Sequence, residues 1–254
     1  LNQDLFSYLK FKTSYGTVGD QAVGIYYPGE NMWQVDSYGG ALAIYETSIG
    51  NPLLTWEKSK MFQVGVEFSL KQFLDVNIDY YIKNTDDLIF TRAVGPSAGY
   101  ASMTVNDGKL LNKGLEFNVT GHLLKTKDAY IDLSINGEYL KNELKRMPID
   151  PSTGKEKVLD VSGIYGRAKG HSLGDFYMRE WAGVNSETGQ AQWYTYTYMG
   201  DDGKKKHVGS MVDFLESNPE MKGKLTKETT TTYSNATLQH TGKSAIPKLR
   251  GGVN

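Results

Sequence analysis

The chain has 254 residues, and its 28 basic and 29 acidic side chains give a formal net charge of -1. Balanced charge supplies no long-range field toward nucleic acid or an anionic membrane surface, so we expect no nucleic-acid partner. The absence of cysteine excludes disulfides, thiolate catalysis and cysteine-ligated metals.

The first predicted element is a strand in which apolar and polar residues alternate from Leu9 to Gly16. The strand runs into Gly19-Asp20. The residues that follow, up to Gly40, show no period, which predicts a long loop. A second strand is predicted from Ala41 to Ser48.

The longest regular pattern lies between Trp56 and Lys83, where two strands of about ten residues are joined by a short turn. The apolar positions are Phe62, Val64, Val66, Phe68 and Leu70 in the first strand, and Leu74, Val76, Ile78, Tyr80 and Ile82 in the second. A period of two excludes a helix. Each strand is close to the roughly 9–11 residues that a tilted strand needs to cross a bilayer.

A second pair of long strands follows an irregular polar stretch between Asn84 and Asn112, and its own turn is short, at residues 125–128. The apolar positions are Leu115, Phe117, Val119 and Leu123, then Ile131, Leu133, Ile135 and Tyr139. We expect the apolar sets of all four strands to face outward on adjacent antiparallel strands, with polar side chains on the inner face.

Short turns therefore alternate with long loops along the chain. An outer-membrane barrel has tight turns at one rim, long loops at the other and apolar side chains toward lipid. A soluble β-sandwich shows the same alternation with the faces exchanged, so the pattern leaves both architectures open. Aromatic residues near the predicted strand ends, such as Trp56, Phe73 and Tyr130, favour the barrel, because interfacial rings gather there.

The remainder of the chain is richer in loops. Residues 141–174 are polar and broken by proline and glycine, and aromatic strands are predicted at 176–181 and 192–198. A helix is predicted within 212–225, with a candidate start at Asp213 and with Pro219 limiting its length. Residues 228–241 are predicted to be extended or loose, and residues 247–254 begin a further strand.

Five aromatic residues of this region are candidate ligand-binding residues: Trp181, Trp193, Tyr194, Tyr196 and Tyr198. The period of two in the tyrosines would place several rings on one face, where they could stack on a ligand or contact a partner protein. Ordinary strand packing within an extracellular hairpin explains the same pattern. Both interpretations stay open at this point.

No catalytic residue, metal site or cofactor is predicted. Residues 170–174 match the G-x-S-x-G pattern of hydrolases, but neither the buried parallel strand nor the following helix of that motif is predicted around the serine. The four histidines, His122, His171, His207 and His240, are scattered, and each is interpreted as an ordinary lumen or loop residue. Carboxylates on the polar strand faces are interpreted as the lining of a solvated lumen rather than as a glycosidase pair.

Several motifs, in this order, resemble those of SusC-like (SusC/RagA) TonB-dependent transporters. They are Tyr15-Gly16-Thr17-Val18-Gly19, Gly50-Asn51-Pro52-Leu53-Leu54-Thr55-Trp56-Glu57-Lys58-Ser59, Asp79-Tyr80-Tyr81, Leu111-Asn112-Lys113-Gly114-Leu115-Glu116, Trp181-Ala182-Gly183-Val184-Asn185, Glu187-Thr188-Gly189 and Ile246-Pro247-Lys248. The resemblance implies an all-β fold, part of a large antiparallel transmembrane β-barrel of the 22-stranded transporter class with long extracellular loops.

The resemblance also implies that residues 1–254 are a partial TonB-dependent receptor barrel in the bacterial cell outer membrane, without the plug domain and the final strands. We therefore expect an open sheet whose first and last strands lack further neighbours. The implied function is TonB-dependent import of a bulky nutrient, an oligosaccharide or a peptide, and not an enzyme activity. A SusD-like surface lipoprotein, TonB and outer-membrane lipid are the implied partners. The alternative is a soluble β-rich carbohydrate-binding module or glycan-active domain.

Overall fold

The computed structural model describes residues 5–21, 27–71, 73–93, 102–150 and 153–254. The chain divides into two compact units, Leu1–Lys157 with Pro247–Asn254, and Val158–Ile246. Antiparallel strands dominate both units, which confirms the all-β fold class. No helix in the described ranges is long and apolar enough to cross a membrane.

The first unit holds the long strands. In chain order its elements begin with β1 (Phe6–Asp20), β2 (Met32–Tyr38), β3 (Ala41–Ser48), β4 (Glu57–Leu70), β5 (Leu74–Asp86), β6 (Ile89–Ala93), β7 (Ser102–Asn106), β8 (Lys109–Lys125) and β9 (Tyr130–Arg146). Strands β1, β4, β5, β8 and β9 have 13 to 17 residues. Each exceeds the roughly 9–11 residues that a tilted strand needs to cross a bilayer.

The second unit has shorter elements. They are β10 (Asp160–Ser162), β11 (Tyr165–Arg167), β12 (Asp175–Arg179), β13 (Trp181–Val184), β14 (Ala191–Met199), β15 (Lys205–His207), α1 (Met211–Ser217), β16 (Thr226–Thr230) and β17 (Leu238–Ser244). Helix α1 is capped by Ser210, whose hydroxyl accepts the N–H of Asp213, so the helix starts before the predicted residue. The last strand, β18 (Leu249–Val253), belongs to the first unit.

The six-stranded sheet of the first unit has the order β1-β4-β5-β8-β9-β18, and all neighbours are antiparallel. Its register places apolar residues beside apolar residues in strand after strand. One row reads Phe11, Val66, Ile78, Phe117, Gly137 and Gly251, and the next reads Leu9, Phe68, Val76, Val119, Ile135 and Val253. Because side chains alternate between faces along a strand, both rows lie on one face.

Much of the apolar face of this sheet is exposed, although Val76 of β5 is only 8% exposed. Phe11 is 78% exposed and Tyr139 is 56% exposed, whereas Asp79 on the opposite face is 6% exposed. Apolar surface in contact with water costs about 25 cal/mol per Å², so a face of this composition is suited to lipid and not to water. A β-sandwich would cover the apolar face with a second sheet, and this exposure argues against that arrangement.

The connections differ between the two ends of the long strands. At one end, β4 ends at Leu70 and β5 begins at Leu74, and residues 126–129 connect β8 to β9. At the other end, the connections contain the β2–β3 hairpin, the β6–β7 hairpin and the whole second unit. The predicted alternation of short turns with long loops is therefore present in the structure.

Two stretches that the sequence predicted to be irregular contain hairpins. Strands β2 and β3 pair across Gly39 and Gly40, whose φ angles are 60° and 82°, as a type I′ turn requires. The predicted loop up to Gly40 was thus wrong for residues 32–38. Strands β6 and β7 pair inside the predicted polar excursion, although residues 94–101 lie outside the described ranges. All of β2 is exposed, so the strand has no buried face that would require a sustained alternation of apolar and polar residues.

The sheet is open, as expected. Among the described strands, β1 and β18 each pair with one neighbour only. An edge that lies in hydrocarbon leaves N–H and C=O groups unpaired at several kcal/mol each. A sheet with a lipid-facing side therefore needs further strands beside both edges.

A positive charge on the apolar face should destabilise the sheet in a membrane. Val66→Lys and Ile78→Lys each place an ammonium group among apolar side chains, at a cost of about 2–4 kcal/mol toward the bilayer midplane. Gln63→Lys is the matched control on the polar face of β4 and should cost little. Urea titration of the lipid-folded polypeptide measures the difference, and equal tolerance of both faces would refute the assignment.

Candidate functional site

The polar face of the six-stranded sheet carries a network of hydrogen bonds and ion pairs. Lys12 of β1 donates from Nζ to Asn77 Oδ1 at 2.7 Å and to Asp79 Oδ2 at 3.0 Å, both on β5. Strand β4 passes between them at Gly65, where a Cβ atom would collide with the Asp79 carboxylate. The Asp79 side chain is 8% exposed, so Lys12 neutralises a carboxylate that is largely shielded from solvent.

Further polar pairs follow the same face. Tyr81 of β5 donates its hydroxyl to Glu138 of β9 at 2.6 Å. His122 lies between Asp132 and Asp75, which are 2.8 Å and 3.1 Å from its two ring nitrogens. A cavity of about 470 Å³ opens here and is lined mainly by polar residues of β4, β5 and β8. Because these acidic side chains are engaged by neighbours on the face, the arrangement fits the predicted lining of a solvated lumen.

The predicted ligand-binding aromatics lie on and beside β14 in the second unit. This strand is the centre of a small sheet, with β13 and β15 along one edge and β16 along the other. Strands β13 and β14 form a hairpin, closed where the N–H of Asn185 donates to the Gln190 carbonyl at 2.8 Å. The hairpin thus presents its side chains from a strand that is paired on both edges.

The structure divides the five aromatic residues between two faces of this sheet. Trp181 and Trp193 are register partners, and their ring centroids lie 5.8 Å apart in an edge-to-face arrangement. Tyr194, Tyr196 and Tyr198 alternate onto the opposite face, as their spacing predicts. The tryptophans and the tyrosines therefore cannot contact one ligand molecule from the same side.

The tryptophans belong to a cluster whose other members the sequence did not reveal. Tyr233 packs edge-to-face on Trp193 with centroids 5.2 Å apart, and the guanidinium carbon of Arg179 lies 4.8 Å from the Tyr233 ring centroid. Trp181 and Tyr233 are 54% and 55% exposed. We call Arg179, Trp181, Trp193 and Tyr233 the aromatic cluster. Its open rings beside a cation can stack on planar or sugar-like groups and hold an anion.

The tyrosines also contact neighbouring side chains of the second unit. Lys227 of β16 places its Nζ 3.8 Å from the Tyr194 ring centroid. Tyr198 packs against Phe214 of α1, with ring centroids 4.8 Å apart. Because Trp181 and Tyr233 are exposed and these tyrosines are only partly so, the aromatic cluster is the better candidate for contacts with another molecule.

Buried threonines hold β14 in place. Thr195 is 1% exposed, and its hydroxyl donates to the Asn235 carbonyl at 2.6 Å. The hydroxyl of Thr237 accepts the N–H of Tyr196 at 2.8 Å and donates to the Val208 carbonyl at 2.7 Å. These bonds tie the strand that carries Trp193 to the segment that carries Tyr233.

Two of the histidines come together in this unit. His171 and His240 stack with ring centroids 3.7 Å apart and 13° between their planes, and His171 Nδ1 lies 3.0 Å from Asp175 Oδ2. Burial and the neighbouring His171 lower the pKa of His240 to about 4, so its ring is neutral at pH 7. The pairing of β12 with β17, which sequence spacing could not show, creates this cluster.

Ser172, the serine of the G-x-S-x-G match, lies in the turn before β12. Its N–H donates to Asp175 Oδ2 at 3.2 Å. A strand follows it rather than the helix of a nucleophile elbow. The local structure agrees with the interpretation of this motif as a glycine-rich loop.

Comparison with known proteins points to one family. The family model described as TonB dependent receptor-like, beta-barrel, matches residues 3–244. The chain is 28% identical over 225 residues to TonB-dependent receptor P3 of Formosa agariphila, covering 84% of this chain and 22% of that protein. It is 30% identical over 153 residues to TonB-dependent receptor SusC of Bacteroides thetaiotaomicron, covering 57% of this chain and 15% of that protein.

Solved structures agree with the sequence relatives. A chain in the structure of the RagAB peptide transporter matches with a TM-score of 0.74 and 26% identity, over 98% of this chain and 25% of that one. The RagAB peptide importer in its open-open state matches with a TM-score of 0.72. The present chain thus spans about a quarter or less of the length of these proteins.

Removal of the Thr195 hydroxyl should loosen the hairpin that carries Trp193. Thr195→Val keeps the shape but leaves the buried Asn235 carbonyl without its donor, at a cost of about 1–3 kcal/mol. Thr197→Val is the matched control, because the Thr197 hydroxyl makes a longer bond, 3.4 Å, to the Thr226 carbonyl.

Hydrogen exchange of the β14 amides, followed by mass spectrometry, measures this loosening. Thr195→Val should accelerate exchange by roughly tenfold or more, and Thr197→Val should have a smaller effect. Equal exchange rates in the wild type and Thr195→Val would contradict the anchoring role.

Proposed function

The chain belongs to the TonB-dependent receptor β-barrel family, and we propose that it forms part of the wall and loops of an outer-membrane transporter. The family consists of receptors and transporters rather than enzymes. In our proposal the transporter imports a bulky nutrient, an oligosaccharide or a peptide, by TonB-dependent transport. A SusD-like surface lipoprotein is its partner at the end of the long loops.

The observation that carries the proposal is the separation of the two faces of the six-stranded sheet. Rows of apolar residues align across the strands in register, and many side chains of this face, among them Phe11, Phe62 and Leu115, are exposed. The opposite face carries the Lys12–Asp79 ion pair and the Tyr81–Glu138 hydrogen bond. A wall between lipid and an aqueous lumen requires this combination.

A solved neighbour supports a peptide as cargo. SusC is named a TonB-dependent receptor, and RagAB is described as a peptide transporter. The transport of an oligomeric nutrient, which is too large for simple diffusion through a small pore, agrees with a barrel of the large transporter class.

We propose that the aromatic cluster contacts the nutrient or the surface lipoprotein. It lies in the long connection between β9 and β18, and long loops of barrels face the outside of the cell. Trp181 and Tyr233 are more than half exposed, and the Arg179 guanidinium lies over the Tyr233 ring. Stacking on exposed rings suits sugar rings and peptide side chains equally.

Membrane partitioning tests the proposed function. The polypeptide that carries this chain should sediment with the outer membrane, require detergent for extraction and migrate faster in gels before heating than after it. A surface lipoprotein should co-purify with it, and uptake of labelled oligosaccharides or peptides should require TonB. Recovery as a monodisperse, detergent-free protein would contradict the proposal and support a soluble carbohydrate-binding module.

Truncation of Trp193 tests the assigned contact surface. Trp193→Ala should reduce either nutrient uptake or lipoprotein binding by about tenfold or more, as truncation of a central aromatic anchor does at an interface. Trp193→Phe is the control that keeps a ring against Tyr233, and it should retain most of the activity. Wild-type uptake and lipoprotein binding in Trp193→Ala would show that this ring serves strand packing only.

A further inference from the structure

Two imidazoles and one carboxylate lie close together in the second unit, and the proposed transport does not use them. They are His171 in the turn before β12, Asp175 at the start of β12 and His240 in β17. One ligand atom of each lies within 4.8 Å of those of the other two. We propose that His171, Asp175 and His240 form a binding site for a divalent transition-metal ion such as Zn²⁺.

The environment of the His240 ring favours a bound metal ion. Both of its ring nitrogens are shielded from solvent, and neither has a hydrogen-bond partner among the described residues. Shielded polar atoms in folded proteins are almost always paired, so an unpaired one calls for a partner. A metal ion would accept the lone pair of one ring nitrogen.

The donor set suits an ion of the zinc class. Neutral imidazole nitrogen and carboxylate oxygen both bind Zn²⁺ at about 2.0–2.2 Å, which places ligand atoms about 3–3.6 Å apart. His171 Nδ1 and Asp175 Oδ2 already lie 3.0 Å apart. The longest separation, within 4.8 Å, closes if one imidazole rotates out of the present ring stack, because a rotation about χ2 moves the ring nitrogens without a backbone shift.

The surroundings hold these side chains in place. The N–H of Ser172 donates to Asp175 Oδ2 at 3.2 Å. The ring of Tyr177 packs against that of His240 with centroids 5.1 Å apart. Strand β11 contributes Gly166, where an added Cβ would lie 3.0 Å from His240 Cε1, so the strand leaves room for the imidazole. Contacts of this kind orient metal ligands in proteins.

A metal ion at this position would cross-link the turn before β12 to β17. Three protein ligands leave one position of a tetrahedral ion for water or for a donor atom of another molecule. The expected consequence is a more stable β12–β17 pair, since an ion that binds only the folded unit favours the folded state.

Titration with ZnCl₂ tests the site in the detergent-purified polypeptide that carries this chain. Calorimetry should detect a binding event in the wild type that Asp175→Asn and His171→Gln weaken by about tenfold or more. His122→Gln is the matched control. His122 also has two carboxylates nearby, but they lie on opposite ring nitrogens, so they cannot converge on one ion, and this variant should bind Zn²⁺ as the wild type does.

Hydrogen exchange supplies a second readout that is independent of transport. Zn²⁺ should slow exchange of the β12 and β17 amides in the wild type and in His122→Gln, and it should have no effect in Asp175→Asn. Absence of Zn²⁺ binding in the wild type would overturn the proposal, as would wild-type affinity in both Asp175→Asn and His171→Gln. Transport and lipoprotein binding do not depend on these outcomes, so a failure here leaves the transporter assignment standing.

Discussion

The structure depends above all on the pairing of backbone hydrogen-bonding groups between long neighbouring strands. An unpaired N–H or C=O group in hydrocarbon costs several kcal/mol, so strands of a membrane wall must be long, antiparallel and in register. The same register sets Val66 beside Phe11 and Ile78. A slip by one residue would turn Val66 toward the lumen and Asp79 toward lipid. Backbone pairing and side-chain pattern therefore enforce one another.

The polar face of the sheet carries paired charged side chains, and the second unit carries exposed aromatic residues. On the polar face, Lys12 and Asp79 satisfy each other, so the middle of β1 and β5 can carry charge without exposing it to lipid. The second unit contains no strand longer than β14, and it concentrates its exposed rings in the aromatic cluster. A rigid wall that carries long, chemically varied loops is a common way for a fold to hold a recognition surface. The proposed metal site would stiffen these loops without occupying the contact surface.

The long hairpin of β4 and β5 was predictable because its period of two is sustained and one face is uniformly apolar. Strand β3 was predicted with its observed bounds, but its partner β2 was not, because all of β2 is exposed and only Gly39-Gly40 marked the turn. The residues of the candidate sites show the same difference between those that a local pattern reveals and those that it does not. Trp193 belongs to a local aromatic pattern that the sequence shows. Tyr233 and His240 meet their partners because strands that are distant in the sequence pair with each other. The spacing of residues along the chain does not reveal such pairings.

The central claim is that adjacent residues of one strand face lipid and lumen alternately, and site-directed spin labelling along β8 tests it most directly. The chain has no cysteine, so single cysteines at Glu116, Phe117, Asn118 and Val119 can each carry a nitroxide. In lipid bilayers, labels at Phe117 and Val119 should collide with oxygen and avoid a water-soluble nickel chelate, and labels at Glu116 and Asn118 should do the reverse. Equal access of the nickel chelate to all four positions would contradict the account.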